Sequence, residues 1–173
     1  MTTVRRRWFE RSFELGLPAE AFPDILERVR GTPARLEERV RVLTPDEFNA
    51  ILDDTWSIQE NVGHLLDLES LWTGRLDDLE SGAAELRPAD PENRKTDEAC
   101  HNERDAEDLL GEFREARAET VARLEELSDE VIQHTALHPR LQQPMSVVDL
   151  FFFVAEHDDH HLARISEIIR SVV

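Results

Sequence analysis

The sequence predicts an all-α fold, a four-helix bundle with short additional helices and an N-terminal arm. Three observations lead to this fold class. Apolar residues recur at helical spacing over four long stretches, and none of the 8 prolines falls inside the last three of them. No segment shows the alternation that is typical of a sheet strand. The length of 173 residues suits one domain, and we expect a single domain over residues 1–173.

The N-terminal part of the chain predicts an arm followed by an interrupted helix. Residues 1–17 mix aromatic and basic side chains, as expected of a segment that packs onto the body of the protein. A helix starts at about Ala19, and a second helical stretch follows Gly31 and Pro33, which break the pattern. The sequence Thr44-Pro45-Asp46-Glu47 then predicts a short helix, because it combines a cap residue, a first-turn proline and a glutamate.

Two long helices and a long loop are predicted in the middle of the chain. Ser57 and Glu60 form a predicted capping box for a helix that ends at about Leu79. Residues 81–102 are polar and contain two prolines, so we expect a loop there. A third long helix follows, from about Glu103 to Leu127.

The C-terminal part predicts a short helix, a polar turn and the last long helix. The short helix covers residues 129–134, and the turn covers residues 138–144. Ser146 and Asp149 form a third predicted cap, from which the last helix runs to the C-terminus. Core packing explains the apolar stripes of all these helices.

Charge and cysteine content exclude several classes of protein. The formal net charge of −18 argues against nucleic-acid and anionic-membrane partners, since both need clustered basic residues. Cys100 is the single cysteine, so one chain can build neither a disulfide nor a cysteine-based zinc site. The longest apolar run, residues 147–155, is too short to span a bilayer, and no secretory signal is visible. We therefore expect a cytoplasmic protein.

Two histidines occupy an unusual position on the last helix. On a helical wheel, His157 and His161 lie one turn apart in the middle of the apolar face. Histidines at this spacing project to the same side and can bind one metal ion. The alternative is a pair of core histidines that hydrogen-bond to the backbone or to carboxylates. The segment also echoes the H-E-x-x-H zinc-protease motif, but Asp158 replaces the glutamate and no further ligand motif accompanies it.

A third histidine lies on the second long helix. His64 is on the shoulder of the apolar face of that helix and points towards the interior of a bundle. Three histidines that leave coordination positions open are typical of catalytic rather than structural metal sites. A partly exposed histidine without a ligand role is the alternative for His64.

Two motifs resemble those of the DinB-like superfamily. Residues 56–67, WSIQENVGHLLD, resemble the second-helix motif of that family, and residues 156–165, EHDDHHLARI, resemble its last-helix motif. The resemblance extends from about residue 8 to the end. It implies an up-down-down-up bundle in which three histidines hold a divalent metal ion. These histidines correspond to His64, His157 and His161.

The resemblance also implies a range of functions. Known relatives are thiol-dependent S-transferases and isomerases, and family members often dimerise. We therefore expect a metal-dependent enzyme, an S-transferase or a hydrolase, acting as a homodimer on a small molecule, with a low-molecular-weight thiol as a candidate partner. Zinc or nickel is the expected metal, with manganese, iron and cobalt as alternatives. A non-catalytic, stress-related metal-binding dimer and a metal-free interaction module remain alternative functions.

The catalytic residues stay open at this stage. Four titratable side chains lie near the histidines on the helical wheels: Glu60, Asp67, Asp158 and His160. Capping is the expected role of Glu60. An anionic thiol would be bound by arginine at the mouth of the site, and the candidates are Arg75, Arg140 and Arg164.

Overall fold

The computed structural model describes residues 5–53 and 55–172, and helices dominate it. The α-helices are α1 (Phe22–Arg30), α2 (Thr32–Val40), α3 (Pro45–Phe48), α4 (Ile58–Glu80), α5 (Arg94–Glu98), α6 (Ala106–Glu125), α7 (Asp129–Ile132) and α8 (Val147–Val172). The strands are β1 (Thr135–Leu137) and β2 (Pro144–Ser146). Single 3₁₀ turns lie at Trp8–Glu10, Ala19–Ala21 and His101–Glu103. Among the described residues, no helix has the length and apolar character needed to cross a membrane.

Four helical rods form the bundle: α1 with α2, then α4, α6 and α8. Helices α4 and α6 are parallel, because Glu69 contacts Arg117 and, further along both helices, Asp77 contacts Arg123. Parallel neighbours need a connection that returns along the whole bundle. The long segment between α4 and α6 is this connection.

Helix α8 completes the predicted up-down-down-up topology. It is antiparallel to α4, since Asn61 contacts His161 at one end and Trp72 contacts Phe153 nearer the other. It is parallel to the first rod, whose arginines pair with successive acidic residues of α8. The all-helical four-helix bundle expected from the sequence is therefore confirmed.

All three predicted caps are present. Thr44 and Ser57 each form a capping box with the glutamate three residues later. Ser146 and Asp149 hydrogen-bond to each other in the same reciprocal way at the start of α8. Helix α6 begins later than predicted, because Asp105 caps it by accepting from the backbone N–H groups of the first turn.

Two regions differ from the sequence-based expectation. The predicted loop over residues 81–102 contains α5, and Asn93 and Cys100, both with positive φ, precede α5 and the following 3₁₀ turn. The predicted polar turn is the loop of an antiparallel hairpin in which Thr135 pairs with Ser146. Strands of three residues are too short for an alternating pattern, so the hairpin was missed.

The N-terminal arm packs onto α8, as predicted. Asp149 Oδ1 accepts hydrogen bonds from the backbone N–H groups of Gly16 at 2.8 Å and Leu17 at 3.0 Å. The Trp8 ring meets the edge of Phe153 with ring centroids 5.0 Å apart. The first four residues of the predicted arm lie outside the described residues. The contacts of the arm place Trp8 over the bundle end at which the histidines meet.

A buried ion-pair network crosses the centre of the bundle. Arg117 of α6 donates to Asp158 Oδ2 at 2.5 Å and to Glu69 Oε1 at 2.6 Å. The hydroxyls of Thr32 and Thr120 donate to the same two carboxylates. Burial alone would lower the pKa of Arg117, but the two carboxylates outweigh it and raise that pKa. The network ties all four rods together.

Candidate metal centre

The structure brings the three predicted histidines together. His64 of α4 and His157 and His161 of α8 are all buried, and one ring nitrogen of each lies within 4.8 Å of the others. The Nε2 atoms of His157 and His161 are 3.3 Å apart. Two imidazoles on one tetrahedral ion, each at 2.0–2.1 Å, would place their nitrogens about 3.3 Å apart. The spacing of this pair therefore fits a shared ion.

Asn61 fixes the proton of His161. The side-chain amide of Asn61 donates to the carbonyls of Trp56 and Ser57, so its oxygen faces α8. That oxygen lies 2.8 Å from His161 Nδ1 and accepts a hydrogen bond from it, so Nδ1 carries the ring proton. Nε2 of His161 consequently carries a lone pair that points into the cluster.

A chain of hydrogen bonds orients His64. Thr96 of α5 gives its only hydroxyl proton to Asp67 Oδ2 at 2.9 Å, so it accepts from His64 Nδ1 at 3.0 Å. Asp67 Oδ2 also accepts from His101 Nε2 at 2.9 Å. The remaining nitrogen of His64, Nε2, is therefore unprotonated. Outer hydrogen bonds of this kind normally set the tautomer of metal-binding histidines.

His157 is left without a satisfactory partner by the protein alone. Its Nδ1 atom is fully buried and has no hydrogen bond to any of the described residues. If the ring proton of His157 lies on Nδ1, the Nε2 lone pairs of His157 and His161 face each other. If the proton lies on Nε2, Nδ1 is a buried acceptor without a donor among the described residues. A cation shared with His161 would remove the repulsion between the lone pairs. The donor set thus fits a divalent ion.

All three imidazoles are neutral at physiological pH. Burial is the main cause, and it lowers the pKa of His64 to about 4 against the partly opposing effect of Asp67. Burial and the neighbouring histidines hold the pKa values of His157 and His161 well below their usual range. Since metal binding requires unprotonated imidazole, the site is ready for an ion without losing protons.

The cluster lines a cavity of about 1060 Å³ with aromatic walls. Trp56 stacks near His64 with ring centroids 4.6 Å apart, and its indole N–H donates to Asp97. Trp8 from the arm meets the edge of His157 at 4.9 Å, and Trp72 meets it at 5.7 Å. A small molecule would therefore meet apolar walls beside the three polar nitrogens.

Three of the four candidate bases are engaged in other contacts, although Glu60 also lines the cavity. Glu60 caps α4, as expected. Asp67 is bound to Thr96 and His101. Asp158 is held by the central ion-pair network and is not part of the cavity wall.

His160 is the fourth candidate base, and it does line the cavity. Its ring nitrogens contact Arg5 at 2.8 Å and Arg11 at 3.3 Å. Burial, followed by these two arginines, lowers its pKa to about 4. His160 is therefore neutral and already engaged.

The three candidate arginines all reach the cavity wall. Arg164 pairs with Glu167 and donates to the Leu52 carbonyl and the Thr55 hydroxyl. Arg75 and Arg140 make no ion pair with any described carboxylate. All three arginines therefore lie at the cavity, and the surroundings of each are different.

Sequence reasoning missed the residues that orient the histidines. Thr96 and His101 lie in the segment predicted to be a loop, 29 and 34 residues along the chain from Asp67, the residue of α4 that both contact. Asn61 lies one turn before His64 on the same helix, which is a signal that a wheel analysis of polar residues would have found.

Comparisons with known proteins agree with this architecture. The model of the DinB superfamily matches residues 28–165. YfiT from Bacillus subtilis, described as "a probable metal-dependent hydrolase with an unusual four-helix bundle topology", superposes with a TM-score of 0.81 at 22% identity, over 94% of this chain and 93% of that one.

A mycothiol-dependent maleylpyruvate isomerase superposes with a TM-score of 0.68 at 14% identity, over 86% of this chain. This chain spans 61% of the length of the isomerase. None of the curated proteins matches the sequence. The family match, which includes all three histidines, decides the assignment: the chain belongs to the DinB superfamily.

Proposed function

We propose that this protein is a metal-dependent enzyme that binds one divalent ion through His64, His157 and His161. The observation that carries the proposal is the convergence of three buried, neutral imidazoles at the wall of a large cavity. Among the described residues, no carboxylate or thiolate joins the cluster. Three protein ligands leave positions for water or substrate, which is the pattern of catalytic sites.

The residues of the chain would prepare the site before substrate arrives. Asn61 and Thr96 hold the ring protons of His161 and His64 away from the ion. Trp8 and Trp56 cover the cluster from the arm and from the N-terminal side of α4, which limits the access of water. A dry setting strengthens electrostatic interactions at the reacting atoms.

A divalent ion held by neutral imidazoles supplies Lewis acidity, and it brings the pKa of a bound water or thiol towards neutrality. Both structural neighbours fit this chemistry, since one is described as a probable hydrolase and the other uses a thiol. Hydrolysis and thiol S-transfer are accordingly the two reaction classes proposed here. Zinc and nickel are the proposed ions, and the substrate is a small molecule.

Paired assays would test the proposal. Zinc- and nickel-loaded protein would be given p-nitrophenyl acetate without thiol, and monochlorobimane with a panel of low-molecular-weight thiols. We expect metal-dependent turnover in one assay, its loss in His64→Ala, and its retention in Ser70→Ala, an exposed change on the same helix. Bound metal with no turnover above free metal in either assay would contradict an enzymatic role and favour a non-catalytic metal-binding bundle.

A further inference from the structure

Arg75 is the exception among the buried arginines. Arg117 and Arg164 are also buried, and each pairs with carboxylates. Arg75 is 1% exposed, yet no carboxylate of the described residues lies within ion-pair distance of it. Burial lowers its pKa to about 10 against the opposing effect of Asp78, with Arg140 and Arg87 adding to the lowering, so it remains charged at neutral pH. The Asp78 carboxylate is bound to Arg87, so it compensates the buried charge of Arg75 only in part, and a ligand carboxylate would compensate it further.

The surroundings of Arg75 hold it in place and leave donors free. Nε donates to the carbonyl of Arg87 at 3.1 Å, and Arg87 is itself clamped to Asp78. Nη1 lies 3.1 Å from His138 Nε2, and Nη2 has no hydrogen bond to the described residues. The guanidinium is therefore fixed along one edge, and Nη2 is available to a ligand in the cavity.

His138 supplies a second N–H donor beside the guanidinium of Arg75. Its Nδ1 atom accepts from the backbone N–H groups of Arg140 and Leu141, both at 3.2 Å. Burial and the nearby arginines lower the pKa of His138 to about 4, so the ring holds one proton, and that proton lies on Nε2. The N–H groups of His138 Nε2 and Arg75 Nη1 then face each other at 3.1 Å, and neither has an acceptor among the described residues. A ligand oxygen that accepts a hydrogen bond from each of these N–H groups would satisfy both.

The same cavity connects these donors to the histidine cluster. His64 and Arg75 are eleven residues apart on α4, so they share a face and are separated by about 16 Å along the axis. The Trp72 ring lies between the two ends, with Arg75 Cζ 5.6 Å from its centroid and the His157 ring 5.7 Å from it. Arg140, which is exposed and has no ion pair with the described residues, lies over the Phe153 ring at the same end of the cavity.

We propose that Arg75, His138 and Arg140 form a carboxylate-binding subsite, and that the substrate is an elongated molecule with a carboxylate at one end. This inference rests on the proposed function, because the reacting end of the substrate would then lie at the histidine cluster. The planar guanidinium matches a carboxylate, and the aromatic wall suits an apolar middle.

Probe binding to metal-free protein would test the subsite apart from the metal. After removal of metal with EDTA, tryptophan fluorescence would follow titration with 3-phenylpropionate and with its neutral amide, 3-phenylpropanamide. We expect the carboxylate to bind at least about tenfold more tightly than the amide. Arg75→Met and Arg140→Gln should weaken binding of the carboxylate only, and Arg75→Lys should weaken it less than Arg75→Met. Arg114→Gln, an exposed change on α6, should leave it unaltered.

Three results would overturn the subsite. These are equal binding of acid and amide, unchanged carboxylate binding in either Arg140→Gln or a folded Arg75→Met, and tighter binding of 3-phenylpropylphosphonate by tenfold or more. Arg140 is exposed, so its variant decides the question even if Arg75→Met fails to fold. The probe is titrated into metal-free protein, so a negative result in this experiment does not bear on metal binding or turnover. A negative result in the metal-binding or turnover experiments likewise does not bear on probe binding.

Discussion

Asn61 Oδ1 lies 2.8 Å from His161 Nδ1, a contact between antiparallel helices that joins residues one hundred positions apart. The NH2 group of this amide donates to two backbone carbonyls, so the oxygen, which can only accept, is the atom that faces His161. It thereby selects the His161 tautomer in which Nε2 is free. The shape of the candidate centre thus depends on a neutral side chain that would not itself touch an ion.

Asn61→Leu should weaken zinc binding by about 10- to 100-fold, as is usual when an outer partner of a histidine ligand is removed. Competition with a chromophoric chelator would measure the affinity. Ser70→Ala is the matched control on the exposed side of α4 and should bind zinc normally. An unchanged affinity in Asn61→Leu would show that the amide does not set the tautomer.

Gly63→Ala should destabilise the protein by about 1–3 kcal/mol, because the added Cβ would overlap the His101 ring. Gly111→Ala, also in a long helix, should stabilise it by about 0.5–1 kcal/mol, since nothing lies within 4 Å of its added Cβ. Thermal and urea unfolding would compare the two variants. Equal effects would mean that His101 does not pack against α4 as described.

Arg117→Met should cost about 3–5 kcal/mol, because it leaves Glu69 and Asp158 buried without a counter-charge. Arg114 lies on the same helix as Arg117 and forms an exposed ion pair with Glu37 of α2. Arg114→Met removes this pair and should cost at most about 1 kcal/mol. Chemical denaturation would give both values. A small cost at Arg117 would contradict the role of the network in joining the rods.

The metal-free protein should lose stability as the pH falls from about 6.5 to 4. Burial lowers the pKa of His64 to about 4, so the unfolded chain binds its proton over this interval and the folded chain does not. The effect is absent above the unfolded pKa and amounts to about 3 kcal/mol at pH 4 for His64 alone. Urea unfolding at several pH values, with EDTA present, would test it. Stability that is flat over this range would contradict the burial of an unpaired neutral imidazole.

Much of the fold could be predicted because its signals are local. The caps at Ser57 and Ser146 and the helical apolar spacing depend on residues within one or two turns of each other. The metal candidates followed from one such pattern, since His157 and His161 interrupt an apolar stripe. The hairpin gave no comparable signal, because its strands have three residues each.

The supporting residues of the site could not be predicted, because tertiary contacts define them. Thr96 and His101 reach α4 from a segment whose composition predicts a loop. Arg117 is a charge within the apolar stripe of its helix, and only the pairing with carboxylates on two other helices explains its burial. The burial of Arg75 without an ion pair to the described residues likewise emerges only when its neighbours are known.

The most direct test of the account is elemental analysis of untagged, freshly purified protein beside the His157→Ala/His161→Ala double variant. The account predicts about one divalent ion per chain in the parent, and loss of that ion in a double variant that keeps its helical circular dichroism. Absence of metal from the parent, even after reconstitution with zinc and nickel, would contradict it and would identify the three histidines as core residues of the bundle.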